Sequence, residues 1–157
     1  YNSATSRLAE LADMQPTQVE VPELPQAFST GIVEAMITSP STGANSKAWD
    51  FVDRFYDIQA WIPKNMVVVK QSVFEALDAK TQGIVMTAAR KAESRGWEMS
   101  QEEAEAKKAV LRENGMQVIE PSDELMQGLR EIGETMTREW LEETGKPGED
   151  IIRTYRK

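Results

Sequence analysis

Any chemistry in this chain must be done without cysteine or histidine, since neither occurs among its 157 residues. That removes thiol nucleophiles, zinc sites built on sulfur or imidazole, and every mechanism in which an imidazole activates a serine or cysteine. No Gly-rich phosphate loop occurs either. Asp50 and Asp53 are the nearest thing to an acid-base or cation-holding pair. Three positions apart on an amphipathic segment, they read instead as solvent-exposed. The chain is therefore expected to be no enzyme and to need no cofactor. Binding chemistry is better supplied. The run Ser39-Pro40-Ser41-Thr42-Gly43-Ala44-Asn45-Ser46 gathers hydroxyls and an amide directly after an expected strand end, where ligands bind in open α/β sheets. Asn65 is an amide that both donates and accepts. Trp49 and Trp61 offer apolar rings of the kind that wall a ligand's carbon skeleton, with core packing as the competing reading.

Charge limits the partners. With 18 basic against 26 acidic residues the net charge is −8, which repels a phosphate backbone and an anionic lipid surface, so nucleic acid is not expected as a partner. The longest apolar runs, such as Met66 to Val69, are far too short for direct membrane insertion. A hydrophobic share of 40% is enough for one ordinary domain with a core. Lack of cysteine is compatible with export without arguing for it. The chain opens at Tyr1 with no basic and apolar leader, and reads as a segment of a mature protein whose upstream part is missing.

These groups must be held by ordered elements. Ser3 to Met14 has the spacing of a short amphipathic helix ended by Pro16. Val19 to Val21 reads as a strand, Glu23 to Thr30 as a helix stopped by Gly31, and Ile32 to Thr38 as a second strand, a parallel α/β crossover. Trp49, Val52, Phe55 and Tyr56 recur at helical spacing, and Met66 to Lys70 is a buried-strand candidate. Ser72 with Glu75 offers a capping box and Asp78 a cap for the helix that follows. Lys80 to Asn114 is nearly uninterrupted helix former. It either breaks near Gly96, restarting at Ser100 with Glu103, or runs on as a strut. Glu102, Glu105, Lys107 and Lys108 read as its solvated region. Asn114-Gly115 closes it, Met116 to Ile119 is a last strand, and Ser122 caps a helix reaching about Glu143. A turn over Gly145 to Gly148 precedes a tail helix. Trp97 and Trp140 read as packing residues on these later helices. The fold class is α/β.

In this succession the chain resembles the solute-binding proteins of TRAP (tripartite ATP-independent periplasmic) transporters, the DctP type. Pro16-Thr17-Gln18-Val19, Glu23, Ala27-Phe28 and Gly31-Ile32-Val33-Glu34-Ala35 are similar to the family's P-x-x-E-x-x-x-A-L-x-x-G-x-V-D-G pattern, with Glu34 and Ala35 standing for Asp and Gly. Lys47 to Asp50 and Ala60 to Asn65 resemble an aromatic segment of one subgroup, and Val67 to Lys70 the strand after it. Leu77, Gln82, Ala88 and Ala89 match a helix start, and Glu113 to Val118 the turn into the last strand.

The resemblance implies part of a two-lobed, flytrap-like fold with long helices connecting the lobes, of which this chain is the C-terminal half. Residues 1–64 would be an incomplete second-lobe segment, 65–103 a first-lobe strand with the start of the connecting helix, 104–125 the return to the second lobe, and 126–157 the C-terminal helices. Implied partners are a small carboxylate ligand, held in an interlobe cleft in the periplasm, and the TRAP membrane subunits. The family's carboxylate-pairing arginine, in a K-x-R strand, would lie just before Tyr1. Tyr1 and Asn2 would follow it and reach the ligand, or else form a frayed terminus. Thr38 and Ser39 end the strand that presents a side chain to the ligand, with turn chemistry as the alternative. Trp49, Trp61 and Asn65 complete the expected ligand set. Arg7 and Arg54 are read as solvated or ion-paired. The competing function is a helical protein-interaction module with no small-molecule ligand.

Overall fold

The computed structural model describes residues 2–60 and 65–156. In chain order its elements are α1 (Ser3–Leu11), α2 (Leu24–Ser29), α3 (Pro40–Asn45), β1 (Arg54–Tyr56), α4 (Gln71–Glu75), α5 (Ala79–Glu113), β2 (Gln117–Ile119), α6 (Asp123–Thr144) and α7 (Lys146–Tyr155). Local chemistry sets most boundaries. Asn2 Oδ1 accepts the Thr5 N–H at 3.0 Å while the Asn2 N–H donates to Thr5 Oγ1, a reciprocal capping box that starts α1. Asp78 and Ser122 cap α5 and α6 as the sequence predicts, accepting from the N–H groups of Thr81 and Leu125. Ser72 does not cap α4, which starts one residue earlier after Lys70.

Three helices stop in one way, with a left-handed residue followed by two backbone hydrogen bonds back into the last turn. At α2 this residue is Gly31 (φ 70°), with Ile32 N–H to Ala27 O and Gly31 N–H to Phe28 O. At α5 it is Gly115 (φ 92°), with Met116 N–H to Leu111 O and Gly115 N–H to Arg112 O. Both were expected. At α1 a non-glycine, Asp13 (φ 57°), does the same, so the helix ends before Pro16 is reached.

The strands differ most from expectation. β1 and β2 form a parallel pair in the register Arg54–Gln117, Phe55–Val118, Tyr56–Ile119, with α4 and α5 in the crossover. The α/β class therefore holds, on a chain that is mostly helical. Residues 19–21 are not a strand: Val21–Glu23 is a 3₁₀ turn with Pro22 in its first positions. Among the described residues neither 32–38 nor 66–70 forms a strand; the N–H groups of Ile32 and Val33 turn back to Ala27 O, and Ile32 is 62% exposed. Among the described residues the expected 19–38 crossover is therefore not seen. The aromatic helix is replaced by a 3₁₀ turn, Ala48–Asp50, leading into β1. Strand alternation there turns Phe55 inward and Arg54 and Tyr56 outward.

The core is small and sits where α3 crosses the end of α5. Ala44, Ala48, Leu111 and Met116 are buried together, with Met36, Trp49, Phe51, Val52, Phe55, Val110 and Val118 packed around them. Gly43 of α3 faces Leu111, and a Cβ there would meet Leu111 Cδ2 at 3.7 Å, ordinary van der Waals contact, so the approach has room for a side chain as small as alanine. Phe28 stacks on Phe51 with centroids 4.9 Å apart, joining α2 to this core. Helix α5 runs unbroken through Gly96 and Ser100 for 35 residues, about 52 Å at 1.5 Å per residue, as the strut alternative predicts. Gly145 (φ 60°, ψ −141°) both ends α6 and begins α7, so the expected four-residue turn shrinks to one glycine in a conformation that side chains disfavour. Arg7 joins α1 to α6, donating from Nε and Nη2 to the two carboxylate oxygens of Glu139 at 3.0 and 2.6 Å, and pairs with Glu10 on its own helix.

Candidate ligand-binding site

Ser39 and Thr38 lie at the head of α3. The Ser39 hydroxyl accepts the Thr42 N–H at 3.0 Å and donates to Thr42 Oγ1, so it caps the helix and is held in a fixed direction. Asn2 is exposed at the head of α1, its side-chain oxygen committed to the capping box. Trp49 is half-buried against the α3–α5 core, in the packing alternative anticipated for it, and its outer edge borders an open cavity of about 500 Å³ with Glu34, Asp50, Phe51, Val52 and Asp53. Asn65 is exposed. Tyr1 and Trp61 lie outside the described residues.

A second, more apolar cavity of about 420 Å³ opens between Val21, Pro22 and Pro25 on one side and Thr42, Asn45 and Ser46 on the other. It adjoins the helix that Ser39 caps without including Ser39. The described candidates are therefore distributed along one half of the chain rather than gathered in one enclosed chamber. Asp50 and Asp53 are exposed, and among the described residues no group of three or more acidic side chains is placed to hold a metal. Trp97 is half exposed, and among the described residues that stretch of α5 has no cover that would give it the expected packing role. Trp140, on α6, lies against Gly148 of α7, where a Cβ would come within 3.2 Å of the ring.

One expectation about charge fails outright. Lys108, read as part of a solvated region, is 7% exposed. Its ammonium donates to Asp57 Oδ2 at 2.7 Å and pairs with Glu105 at 2.6 Å, and both the Lys108 and Asp57 side chains are 9% exposed. The Asp57 hydrogen bond, then that of Glu105, raises the Lys108 pKa against the effect of burial. The missed signal is periodicity: Lys108 lies on the helical stripe that runs from Ala104 to Leu111.

The described residues thus hold a parallel strand pair, a helix of 35 residues and polar groups at element ends. The family model described as bacterial extracellular solute-binding protein, family 7 (DctP) matches residues 2–144. The chain belongs to this family, the solute-binding proteins of TRAP transporters. Among solved structures it is similar to the Bordetella pertussis extracytoplasmic solute receptor DctP7, which binds pyroglutamic acid (41% identity, 100% of this chain and 52% of that one, TM-score 0.87). It is also similar to DctP6 of the same organism, likewise a receptor binding pyroglutamic acid (42% identity, 99% and 52%, TM-score 0.88). A marine metagenome TRAP solute-binding protein specific for pyroglutamate matches at 35% identity (99% and 51%, TM-score 0.84). The chain spans about half the length of these structures. No curated protein matches it. These relatives are two-lobed, and this chain carries part of that fold. Among the described residues no helix is long and apolar enough to cross a membrane.

Proposed function

We propose that this chain is the C-terminal half of a periplasmic receptor that captures a small cyclic or acyclic carboxylate, pyroglutamate first among the candidates, and delivers it to TRAP membrane subunits. The observation that carries the reading is the likeness over essentially the whole chain, at 35 to 42% identity, to three structures whose described ligand is pyroglutamate. The reading divides the chain as its resemblance implies: residues 1–64 and 104–125 in one lobe, 65–103 in the other, and 126–157 as C-terminal helices. A ligand that touches both lobes stabilises the closed arrangement over the open one, which is all the chemistry such a receptor requires.

In this reading the ligand's carboxylate pairs with an arginine upstream of Tyr1. The present chain contributes hydroxyls at Thr38 and Ser39, the amide of Asn65 and the ring of Trp61. Asn2 and Trp49 contribute least, being engaged in a cap and in the core. The exposed apolar run at Met66 to Val69 supports a lobe completed by other segments, because four such side chains in water are a cost that pairing and covering would remove.

Scanning calorimetry of the full-length protein against pyroglutamate, other small carboxylates and neutral amides tests the proposal. At a hundred times the dissociation constant one ligand should add about 2.7 kcal/mol of stability. Asn65→Ala and Trp61→Ala should each weaken binding about tenfold without lowering the melting point of the unliganded protein. Absence of any shift, with a tight protein partner recovered instead, would establish the interaction-module alternative and sink this one.

A further inference from the structure

The pair Asn114-Gly115 closes α5, and the capture reading gives it no further task. Its chemistry is distinctive. Asparagine amides are thermolabile, and of the four asparagines in the chain, Asn2, Asn45, Asn65 and Asn114, Asn114 alone precedes a glycine. In asparagine deamidation the nucleophile is the main-chain nitrogen of the next residue, and glycine leaves that nitrogen uncrowded because it carries no Cβ. The surroundings are open as well: Asn114 and Gly115 are both exposed, and a Cβ on Gly115 would meet nothing within 4 Å. Hydrogen bonds oppose the reaction. Asn114 Nδ2 donates to Val110 O at 2.9 Å, Gly115 N–H to Arg112 O at 3.0 Å and Met116 N–H to Leu111 O at 3.1 Å. Both reacting groups are thus turned back onto the last turn of α5, and Met116, only 5% exposed, anchors the stop in the core. Attack requires the Gly115 nitrogen to leave Arg112 O and turn toward Asn114 Cγ, so the stop must open first.

We infer that Asn114 is a site of spontaneous deamidation, gated by opening of the stop that ends α5. In the open stop the Gly115 nitrogen gives its proton to solvent and bonds to Asn114 Cγ. The Cγ–Nδ2 bond then breaks, and the side-chain nitrogen takes a proton from solvent and leaves as ammonia. Water cleaves the resulting succinimide ring at either of its carbonyls, which yields aspartate or isoaspartate. Both products place a new negative charge at the C-terminal end of a helix, where the exposed carbonyls already repel one. Isoaspartate also routes the main chain through Cβ. The path from buried Leu111 to the start of β2 at Gln117 then no longer has the length that the stop spans. The site is independent of the capture reading, since it needs neither a ligand nor a second lobe.

The experiment incubates full-length wild type, Met116→Ala and Asn114→Gln in mildly alkaline buffer, with and without enough urea to unfold them. Peptide mass mapping follows the conversion of amide to acid at each asparagine. Folded wild type should convert first at Asn114, at least about tenfold more slowly than the unfolded chain, because the reaction tracks the population of the open stop. Met116→Ala, which loosens the anchor of the stop, should convert faster than folded wild type. Asn114→Gln should abolish conversion at this position, since its longer side chain closes the ring poorly, and converted wild type should unfold at a lower midpoint than fresh protein. If Met116→Ala does not fold, wild type in urea below its unfolding midpoint takes its place, and its rate should rise with urea. Folded wild type that converts first at Asn2, Asn45 or Asn65, or at no asparagine, overturns the site. Equal rates in the folded and unfolded chains, or a rate that neither Met116→Ala nor urea raises, overturn the gate.

Discussion

The two ends of α5 lie in different surroundings. Its last turns press against α3, with Leu111 fully buried, Lys108 nearly so, and Met116 tucked in just beyond the stop at Gly115. Its earlier turns carry Ile84, Val85, Met86, Trp97 and Met99 in solvent, and the segment before it exposes Met66, Val67, Val68 and Val69. Both stretches contain apolar side chains at comparable density, so composition does not separate them. What separates them is whether another part of this chain faces them. A helix buries a stripe only when something packs on it. Around Leu111 the described residues supply their own cover, and over most of residues 65–103 they do not.

The largest effect should fall in the closed region. Leu111→Ala removes the fully buried side chain at the centre of the α3–α5 contact and should destabilise the full-length protein by about 2–5 kcal/mol, read by chemical denaturation. A loss below about 1 kcal/mol would mean that α3 and the end of α5 are not the kernel they are described as here.

The open region provides the sharper test. Val68 is 82% exposed in this chain, and a surface position tolerates substitution within about 0.5 kcal/mol. If residues 65–103 are completed by further segments, as proposed above, Val68→Asp should instead cost the full-length protein more than about 2 kcal/mol, since it would bury an unpaired carboxylate. A near-neutral result would show that the segment stays in water and would remove a main support of the two-lobe reading.

This contrast also explains what could be read in the sequence. Helices announce themselves locally: the caps at Asp78 and Ser122 and the stops at Gly31 and Gly115 depend on residues within a turn of each other, and all four are where the sequence places them. Strands do not. Whether 32–38 or 66–70 forms a strand depends on a partner, and among the described residues neither is a strand, whereas Arg54–Tyr56 became one by meeting Gln117–Ile119. Helical spacing at Trp49, Val52 and Phe55 misled because a 3₁₀ turn followed by a strand also turns these side chains to one core. The candidate residues were legible as polar chemistry, but whether they serve a ligand was not, because hydroxyls and amides cap helices as readily as they hold ligands. Lys108 escaped notice because charge outweighed its position on an apolar stripe.

Charge offers a last and finer way to separate the regions, since one ion pair is built on a lysine that can lose its proton in alkali and the other on an arginine that keeps it. The Glu139 carboxyl is held below its ordinary value of 4.5, first by the hydrogen bond from Arg7. Such a group adds stability that is present above the ordinary value and lost as pH falls through the lower folded value. Lys108 is raised above 10.5 by Asp57 and Glu105, so its contribution is present below 10.5 and lost as pH rises through the higher folded value. Strong alkali should therefore loosen the Lys108 pair while the Arg7 guanidinium keeps its charge and its bridge to Glu139, whereas acid, which protonates carboxylates, weakens the α1–α6 bridge without sparing other carboxylate pairs. The acid effect should be the smaller, because Arg7 and Glu139 are each 42% exposed and screened by salt. Asp78 is also held below its ordinary value, by Thr81, and titrates in the same acid range, so global unfolding cannot isolate Glu139. Amide exchange within α1 can. Wild type should protect α1 better than Glu139→Gln near neutral pH, and the difference should shrink as pH falls below the ordinary carboxylate range and diminish with added salt. A difference that persists unchanged into strong acid would show that α1 is held by packing of Leu8 alone, and that the Arg7 bridge is an ornament of the surface rather than the tie between these helices.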